Sequence, residues 1–504
     1  MNSSALSERH EHVYGRIKEW PHASAPGVFF WGGEHVVLHG FPGFCQQVPL
    51  RVWVAMQRVR AGAELQFEFV TDGQYFLDYM LDSFVTGESA SSEYDFEAES
   101  VHGVLELLKT EGESLGVTGL FRIRSLHELK PGSGCNWSGA FAASMLGAFL
   151  ASSGLLTPEN LTEESWCKKT VSSNDADPQQ PPYASLVSFH RTAWKLENVL
   201  HRERASGYGT LCSAMQVRAP IVYVSSQRGW PSARPVQAAC DGLDQLSFFA
   251  ADTGPIYGHS WFDPNSSRDR LSSGLPIVSG LIHTGVPKST SDSIVRTERL
   301  EGALQATVES SIRAASATRV AESVGASNPW IEVLTGGGIS ATGLRHSLVA
   351  ALATSVLHLG SSLMNLLSDL SDAAGNARTG IQTEEINGRV EDLASAIRRV
   401  QGGLEQLDLG WPEATRVTSV LEQWARDHKC EDHTGAKLTG GGGGGMMLFV
   451  TKPSNGLVME INKALEASFQ NWNRTPIVVW LSSVDGFDGS GLKVGLGHKT
   501  RSSL

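Results

Sequence analysis

Cysteine is scarce and scattered in this chain: six in 504 residues, at positions 45, 135, 167, 212, 240 and 430, with no CxxC pair. That excludes a paired-cysteine zinc site and a disulfide-framed secreted domain. Reduced thiols and a cytoplasmic location are the expectation. Long hydrophobic runs are missing as well. Stretches such as Ala140–Leu150 are too short and interrupted to span a bilayer, so no membrane partner is expected. Positive charge is in deficit: 41 Lys and Arg against 53 Asp and Glu leave a formal charge of −12. No basic cluster is long enough to track a nucleic acid, so none is expected as a partner. Residues Met1–Arg9 lack a basic region followed by an apolar core, and no secretion signal is expected. No fixed-period repeat is visible.

What is present is the composition of a globular protein with real cores: 41% hydrophobic and 19% charged residues. The length is enough for roughly two to four domains. Residues 1–22 read as a polar lead-in. Val28–Trp31, Leu50–Met56 and Leu65–Val70 read as strands, and Val101–Leu108 has helical spacing. Leu120–Leu126 alternates, placing Phe121, Ile123 and Ser125 on one face and Arg122 and Arg124 on the other. A small-residue helix is expected over Gly139–Ala151, and another over Tyr183–His201. Residues 175–182 read as a loop. The Gly, Pro, Asp and Ser-rich stretch Trp230–Pro276 is the expected domain boundary, dividing residues 23–270 from 271–504. Beyond it the pattern predicts a strand at Ile277–His283, helices at Arg296–Val324, Leu344–Ala374, Glu384–Leu407 and Pro412–His428, then strand 446–451, helix 458–471 and strand Ile477–Leu481.

Three glycine-containing motifs carry chemistry. The first is Ala25-Pro26-Gly27-Val28-Phe29-Phe30-Trp31-Gly32-Gly33-Glu34-His35, which puts a carboxylate and an imidazole together at a strand end. The second is Lys130-Pro131-Gly132-Ser133-Gly134-Cys135-Asn136-Trp137-Ser138, between a strand and a small-residue helix. A loop opening onto a helix start is an anion-binding arrangement, because N–H groups and the helix dipole point outward there. Ser133 and Ser138 can offer hydroxyls to phosphate or to Mg²⁺. The spacing is neither GxGxxG nor GxxxxGK[ST], and a tight turn with no ligand is the competing reading. The third motif is Gly440–Gly445, six consecutive glycines entering the apolar run Met446–Val450. Linkers mix in Ser, Pro or charge. A pure glycine run before a strand suits close backbone approach to a ligand or another loop.

In this order the motifs resemble the three signatures of the GHMP kinase superfamily, with the greatest likeness to mevalonate kinases. Further likeness lies in Glu197-Asn198-Val199-Leu200-His201, Ser206-Gly207 and His283-Thr284-Gly285-Val286-Pro287-Lys288. It spans about residues 23–482, with insertions around 210–270 and 335–385. The resemblance implies an α+β, two-domain GHMP kinase fold: a ribosomal S5 domain 2-like N-terminal domain and a ferredoxin-like C-terminal domain. It implies ATP along Pro131, Gly132, Ser133, Gly134, Asn136 and Ser138, supported by Gly440, Gly441, Gly442, Gly443 and Gly444. Ser138 and Glu197 are the implied Mg²⁺ contacts, and Glu34, His35 and Thr284 the implied substrate contacts. The activity implied is transfer of phosphate from ATP to a hydroxyl of a small metabolite, with an anionic, mevalonate-like acid as leading substrate class.

Two departures stand out. The family Lys position is Val28, and the family catalytic Asp position is Gly209. Trp137 also replaces a small residue and could restrict access of a nucleotide or stack on its base. A catalytically impaired nucleotide- or metabolite-binding protein on the same fold is the alternative. An ATP-dependent decarboxylase is a more distant one. Three other features have plainer readings. His10, His12, His22, Asp175 and Asp177 fit solvated side chains. Leu344–Leu370 fits core or a homodimer face. Arg51, Arg218 and Arg228 could clamp phosphate or carboxylate.

Overall fold

The computed structural model describes residues 12–39, 43–78, 83–86, 98–129, 131–161, 183, 186–201, 205–215, 221–224, 247–250, 254–257, 278–284, most of 348–366, 383–407, 409–440, 445–452, 457–469, 477–480 and 492–497. The strands, in chain order, are β1 (His22–Gly32), β2 (Gly43–Arg60), β3 (Leu65–Asp78), β4 (Ser83–Thr86), β5 (Gly119–His127), β6 (Ile221–Val224), β7 (Ser247–Ala250), β8 (Gly254–Tyr257), β9 (Val278–His283), β10 (Gly435–Leu438), β11 (Met446–Thr451), β12 (Ile477–Trp480) and β13 (Lys493–Gly495). The helices are α1 (Ala98–Ser114), α2 (Trp137–Ser152), α3 (Leu186–Leu200), α4 (Tyr208–Ala214), α5 (Thr383–Gln406), α6 (Pro412–Asp427) and α7 (Leu457–Ser468). The fold is α+β.

The larger sheet runs β4-β3-β5-β2-β6-β7-β8, with β1 on β2 and β13 on β1. The long strand β2 organises it. One edge pairs antiparallel with β1 from His22↔Ala55 to Gly32↔Phe44. The opposite edge takes β5 over 52–60 and β6 over 43–45. β3 and β5 are parallel and are joined through α1, the crossover that parallel strands require. The alternation read along β5 holds: Phe121, Ile123 and Ser125 are buried while Arg122 is exposed.

Helix α2 is almost entirely buried against β1 and β2. Its Gly, Ala and Ser residues let the backbones approach. A Cβ on Gly147 would lie 2.8 Å from Ala23 Cβ. The smaller sheet is antiparallel throughout, in the order β10-β11-β9-β12, with α5 against β10 so closely that a Cβ on Gly435 would lie 2.5 Å from Ala394 O.

Several expectations need correction. The lead-in is helical over residues 12–18, and Val13, Ile17 and Trp20 bury against Ala55 and Leu126. Arg124 covers this small core from above, its guanidinium 3.8 Å from the Trp20 ring centroid. Within Trp230–Pro276, β7 and β8 extend the larger sheet, so part of that stretch is sheet edge. The helix expected over Tyr183–His201 begins at Leu186. The described positions between 348 and 366 are helical, and Leu352, Val356, Leu359 and Leu363 are buried inside this chain, with Val356 against Gly32. That part of the apolar tract is core. Expectations for 162–182, for 296–324 and for Arg218, Arg228 and Lys288 lie outside the described residues.

Candidate active site

β5 delivers the chain into the second motif, and β1 holds that loop from beside it. Val28 N–H donates to Cys135 O at 2.9 Å. Gly27 is required at this seam, since a Cβ there would lie 2.8 Å from Cys135 O and 2.3 Å from Leu129 Cδ1. Gly132 and Gly134 take φ of 73° and 80°, the left-handed region that glycine enters without steric cost. Ser133 is buried, and its hydroxyl accepts from Cys135 N at 3.4 Å, so it closes its own turn. Pro131 and Gly132 are half-buried beside it. Asn136 stands at the N-cap position of α2, and Ser138 sits in the helix's first turn.

The end of the glycine run packs onto this loop, backbone to backbone. A Cβ on Gly445 would lie 2.9 Å from Ser133 O and 3.1 Å from Gly134 N. From the other side, a Cβ on Gly134 would lie 3.1 Å from both Thr439 O and Met446 N. Thr439 N donates to Met446 O at 2.9 Å and closes the hairpin whose tip is the run. Gly440 and Gly445 are the described ends of the run, both with positive φ; residues 441–444 lie outside the described residues.

Glu34 and Thr284 reach the glycine hairpin and are committed there. Glu34 Oε1 accepts from Lys437 Nζ at 2.9 Å and from Gly440 N at 3.1 Å. Thr284 Oγ1 donates to Gly445 O at 2.8 Å. His35 follows Glu34 in the turn and is half-buried. Lys437, to which the sequence reading gave no role, is wholly buried on β10 and also donates to Phe30 O at 2.9 Å. Burial lowers its pKa and the Glu34 carboxylate raises it. A lone lysine inside the otherwise apolar Gly435–Leu438 run was the available signal, because an unpaired buried ammonium is too costly to keep.

Glu197 lies on α3 with its side chain buried. Its Oε1 accepts from Ser138 Oγ at 3.3 Å, and its Oε2 from Thr210 Oγ1. His201, one turn on, lies 2.8 Å from Ser138 Oγ through Nε2. Burial raises the Glu197 carboxyl to about 7, against the pull of the Thr210 and Ser138 hydroxyls. Thr210 was not singled out from sequence, since a threonine on a short helix carries no local signal.

The departures also have places. Val28 is fully buried, an apolar side chain in core. Gly209 lies in α4 under the Asn136 amide. Trp137 does not cover the loop: it is buried in a stack with Phe141 at 4.8 Å and His127 at 5.6 Å. Its indole N–H donates to His127 Nδ1 at 3.0 Å, which leaves His127 Nε2 as the donor toward Ser125 Oγ. Burial holds His127 neutral, with its pKa down at about 3. Arg51 is no clamp in the cleft: it is buried against Ser24, with Nε to Oγ at 3.0 Å. Among the described residues no cluster of three His, Cys, Asp or Glu side chains is placed to hold a metal. No helix among them is long and apolar enough to cross a membrane.

No family model matches the chain, and no curated protein matches it. The solved structures to which it is similar include three kinases. One is Lactococcus lactis galactokinase complexed with galactose, at 11% identity over 98% of this chain and 99% of that one, TM-score 0.48. A second is L. major mevalonate kinase in complex with R-mevalonate, at 14% identity over 90% and 94%, TM-score 0.45. The third is Streptococcus pneumoniae phosphomevalonate kinase, at 12% over 92% and 99%, TM-score 0.44.

Proposed function

We propose that this chain is a small-molecule kinase of the GHMP type, moving the γ-phosphoryl group of ATP to a hydroxyl of a small, anionic metabolite. One observation carries the reading: three segments far apart in sequence meet at one place. They are the 131–138 loop, the Gly445 end of the glycine run, and the Ser138–Glu197–Thr210 cluster. Pro131, Gly132, Ser133, Gly134, Asn136 and Ser138 would then line the nucleotide, with the start of α2 turned to its phosphates. Gly440 and Gly445, the described ends of the glycine run, would flank it. Glu34 and Thr284 hold that hairpin in place, and the acceptor would approach beside them and His35, with a mevalonate-like acid as leading class.

The oxygen donors present fit Mg²⁺. Glu197 is a buried carboxylate whose oxygens accept from the Ser138 and Thr210 hydroxyls, with His201 Nε2 4.0 Å from Oε1 and Ser138 Oγ 3.3 Å away. Mg²⁺ takes hard oxygen ligands and commonly uses one or two protein groups plus substrate phosphates. Ser138 and Glu197 would hold it, and when bound it would neutralise charge on the phosphates. The chain's own contribution is alignment and oriented N–H donors, which dominate phosphoryl transfer through a loose transition state.

ATP turnover with Mg²⁺ across mevalonate, its phosphates, homoserine and sugars tests the reading, beside calorimetry with nucleotide. Turnover on one of them is the expected result. Binding without turnover would favour the impaired nucleotide-binding alternative, which the buried Val28 and the side-chain-free position 209 support. Absence of nucleotide binding would sink both.

A further inference from the structure

The space that a side chain at position 209 would take is already filled. A Cβ on Gly209 would lie 2.0 Å from Oδ1, 2.2 Å from Cγ and 2.4 Å from Nδ2 of Asn136. Gly139 walls the same amide from its own helix, where a Cβ would lie 2.3 Å from Nδ2. Close-packed atoms do not tolerate such separations, so Asn136 and two glycines form one fitted unit.

Asn136 is held in an uncommon state. It stands at the N-cap of α2 with φ 54° and ψ 45°, and its side chain makes no capping hydrogen bond. Asn enters the left-handed region more readily than most residues. At an N-cap its oxygen ordinarily turns back onto the helix N–H groups. Here the amide turns across to α4, and Nδ2 donates to Ser213 Oγ at 3.3 Å. Oδ1 accepts no hydrogen bond among the described residues. Asn136 is partly buried, two residues before Ser138 and beside the helix that carries Thr210 to Glu197.

We propose that Asn136 binds the phosphoryl acceptor, its amide oxygen accepting the hydrogen bond of the hydroxyl that is phosphorylated. This rests on the kinase reading above. In the transfer the acceptor oxygen bonds to the γ-phosphorus as the bond from that phosphorus to the β,γ-bridging oxygen breaks, releasing ADP. The hydroxyl proton passes late to solvent, because a neutral amide orients it and cannot take it. Loose phosphoryl transfer permits that order of events. A neutral group at this point also leaves an acceptor with negative charge close to its hydroxyl unrepelled, which favours a phosphorylated or carboxylated alcohol over a neutral sugar.

Three variants test it. Asn136→Gly removes the amide and accepts the left-handed backbone. Asn136→Asp keeps the shape and adds a base. Gly209→Ala probes the fit. Affinity for a non-hydrolysable ATP analogue with Mg²⁺ is measured by calorimetry. Transfer from ATP is followed to mevalonate, mevalonate phosphate, homoserine and galactose, with water as the default acceptor. Asn136→Gly should still bind the analogue, since the backbone at 136 that would line the nucleotide is kept, and should transfer about tenfold or more slowly at saturating ATP, the scale of losing one well-placed polar contact to the reacting group. Asn136→Asp should acquire a rate that rises with pH through the carboxylate range. Gly209→Ala should lower Tm in the parent and not in an Asn136→Gly background. Unchanged transfer by a folded, nucleotide-binding Asn136→Gly overturns the role of Asn136 and leaves the kinase reading standing. If Asn136→Gly does not fold, an Asn136→Asp protein with the parent's rate and pH profile overturns it instead. A parent that binds no nucleotide, or binds it and transfers to nothing, not even water, overturns both.

Discussion

Glu128 shows how burial alone can set the charge of a carboxyl group. It follows β5 directly, just before the second motif, accepting from Arg51 N at 2.8 Å and from Trp53 Nε1 at 3.2 Å. Burial raises it to about 8, although the Arg51 N–H bond pulls the other way. Its folded value lies above its unfolded value, so between the two the folded protein holds a proton that the unfolded chain has released, and stability falls as pH rises. His127 and His190 are lowered by burial to about 3 and about 4, and they act in the opposite sense, but only below the ordinary histidine range. Metal-free protein should therefore lose stability between about pH 6.5 and 8. Glu128→Gln should flatten that slope in thermal melts; an unchanged slope would put the titration elsewhere.

At the scale of elements, the seam between the two glycine loops is made of backbone and has no room for a methyl group. Gly445 is constrained twice, by φ of 82° and by Ser133 O. Gly445→Ala should cost about 1–3 kcal/mol from the conformation alone. It should also weaken ATP-analogue binding, while Gly116→Ala, with positive φ but open space, should cost stability only. Calorimetry beside denaturant melts separates the two. Much of this was legible in sequence, because a six-glycine run before a strand and a Gly-Ser loop before a helix are local patterns. The α2 helix and β11 were likewise readable from small-residue and apolar runs. The strand β13 was not, since three residues of ordinary composition become a strand only by pairing with β1.

At the scale of the whole molecule, the two sheets are tied through β1. Its Phe30 N–H donates to Thr439 Oγ1 at 2.7 Å, and Phe30 O with Glu34 holds the Lys437 ammonium. Removing one partner of a buried ion pair leaves an uncompensated charge, at about 3–5 kcal/mol. Lys437→Met should show that loss in denaturant titration, and Lys437→Met with Glu34→Gln should recover part of it. Additive losses would mean that the pair is not coupled. Near the other end of β1, truncation before Leu492 should lower Tm. It removes β13 from the β1 edge and Leu492 from beside Gly147.

Sequence by itself determined the local pieces: the three motifs and their order, and most strands and helices. These follow from residue type and spacing within a few turns of chain. Only the tertiary structure decided what each piece touches. It turned Trp137 into core, committed Glu34 and Thr284 to the glycine hairpin, buried Lys437 between the sheets, and set the Asn136 amide over Gly209. Those outcomes depend on contacts between residues tens to hundreds of positions apart, where packing and the cost of unpaired buried charge leave no trace in the local pattern.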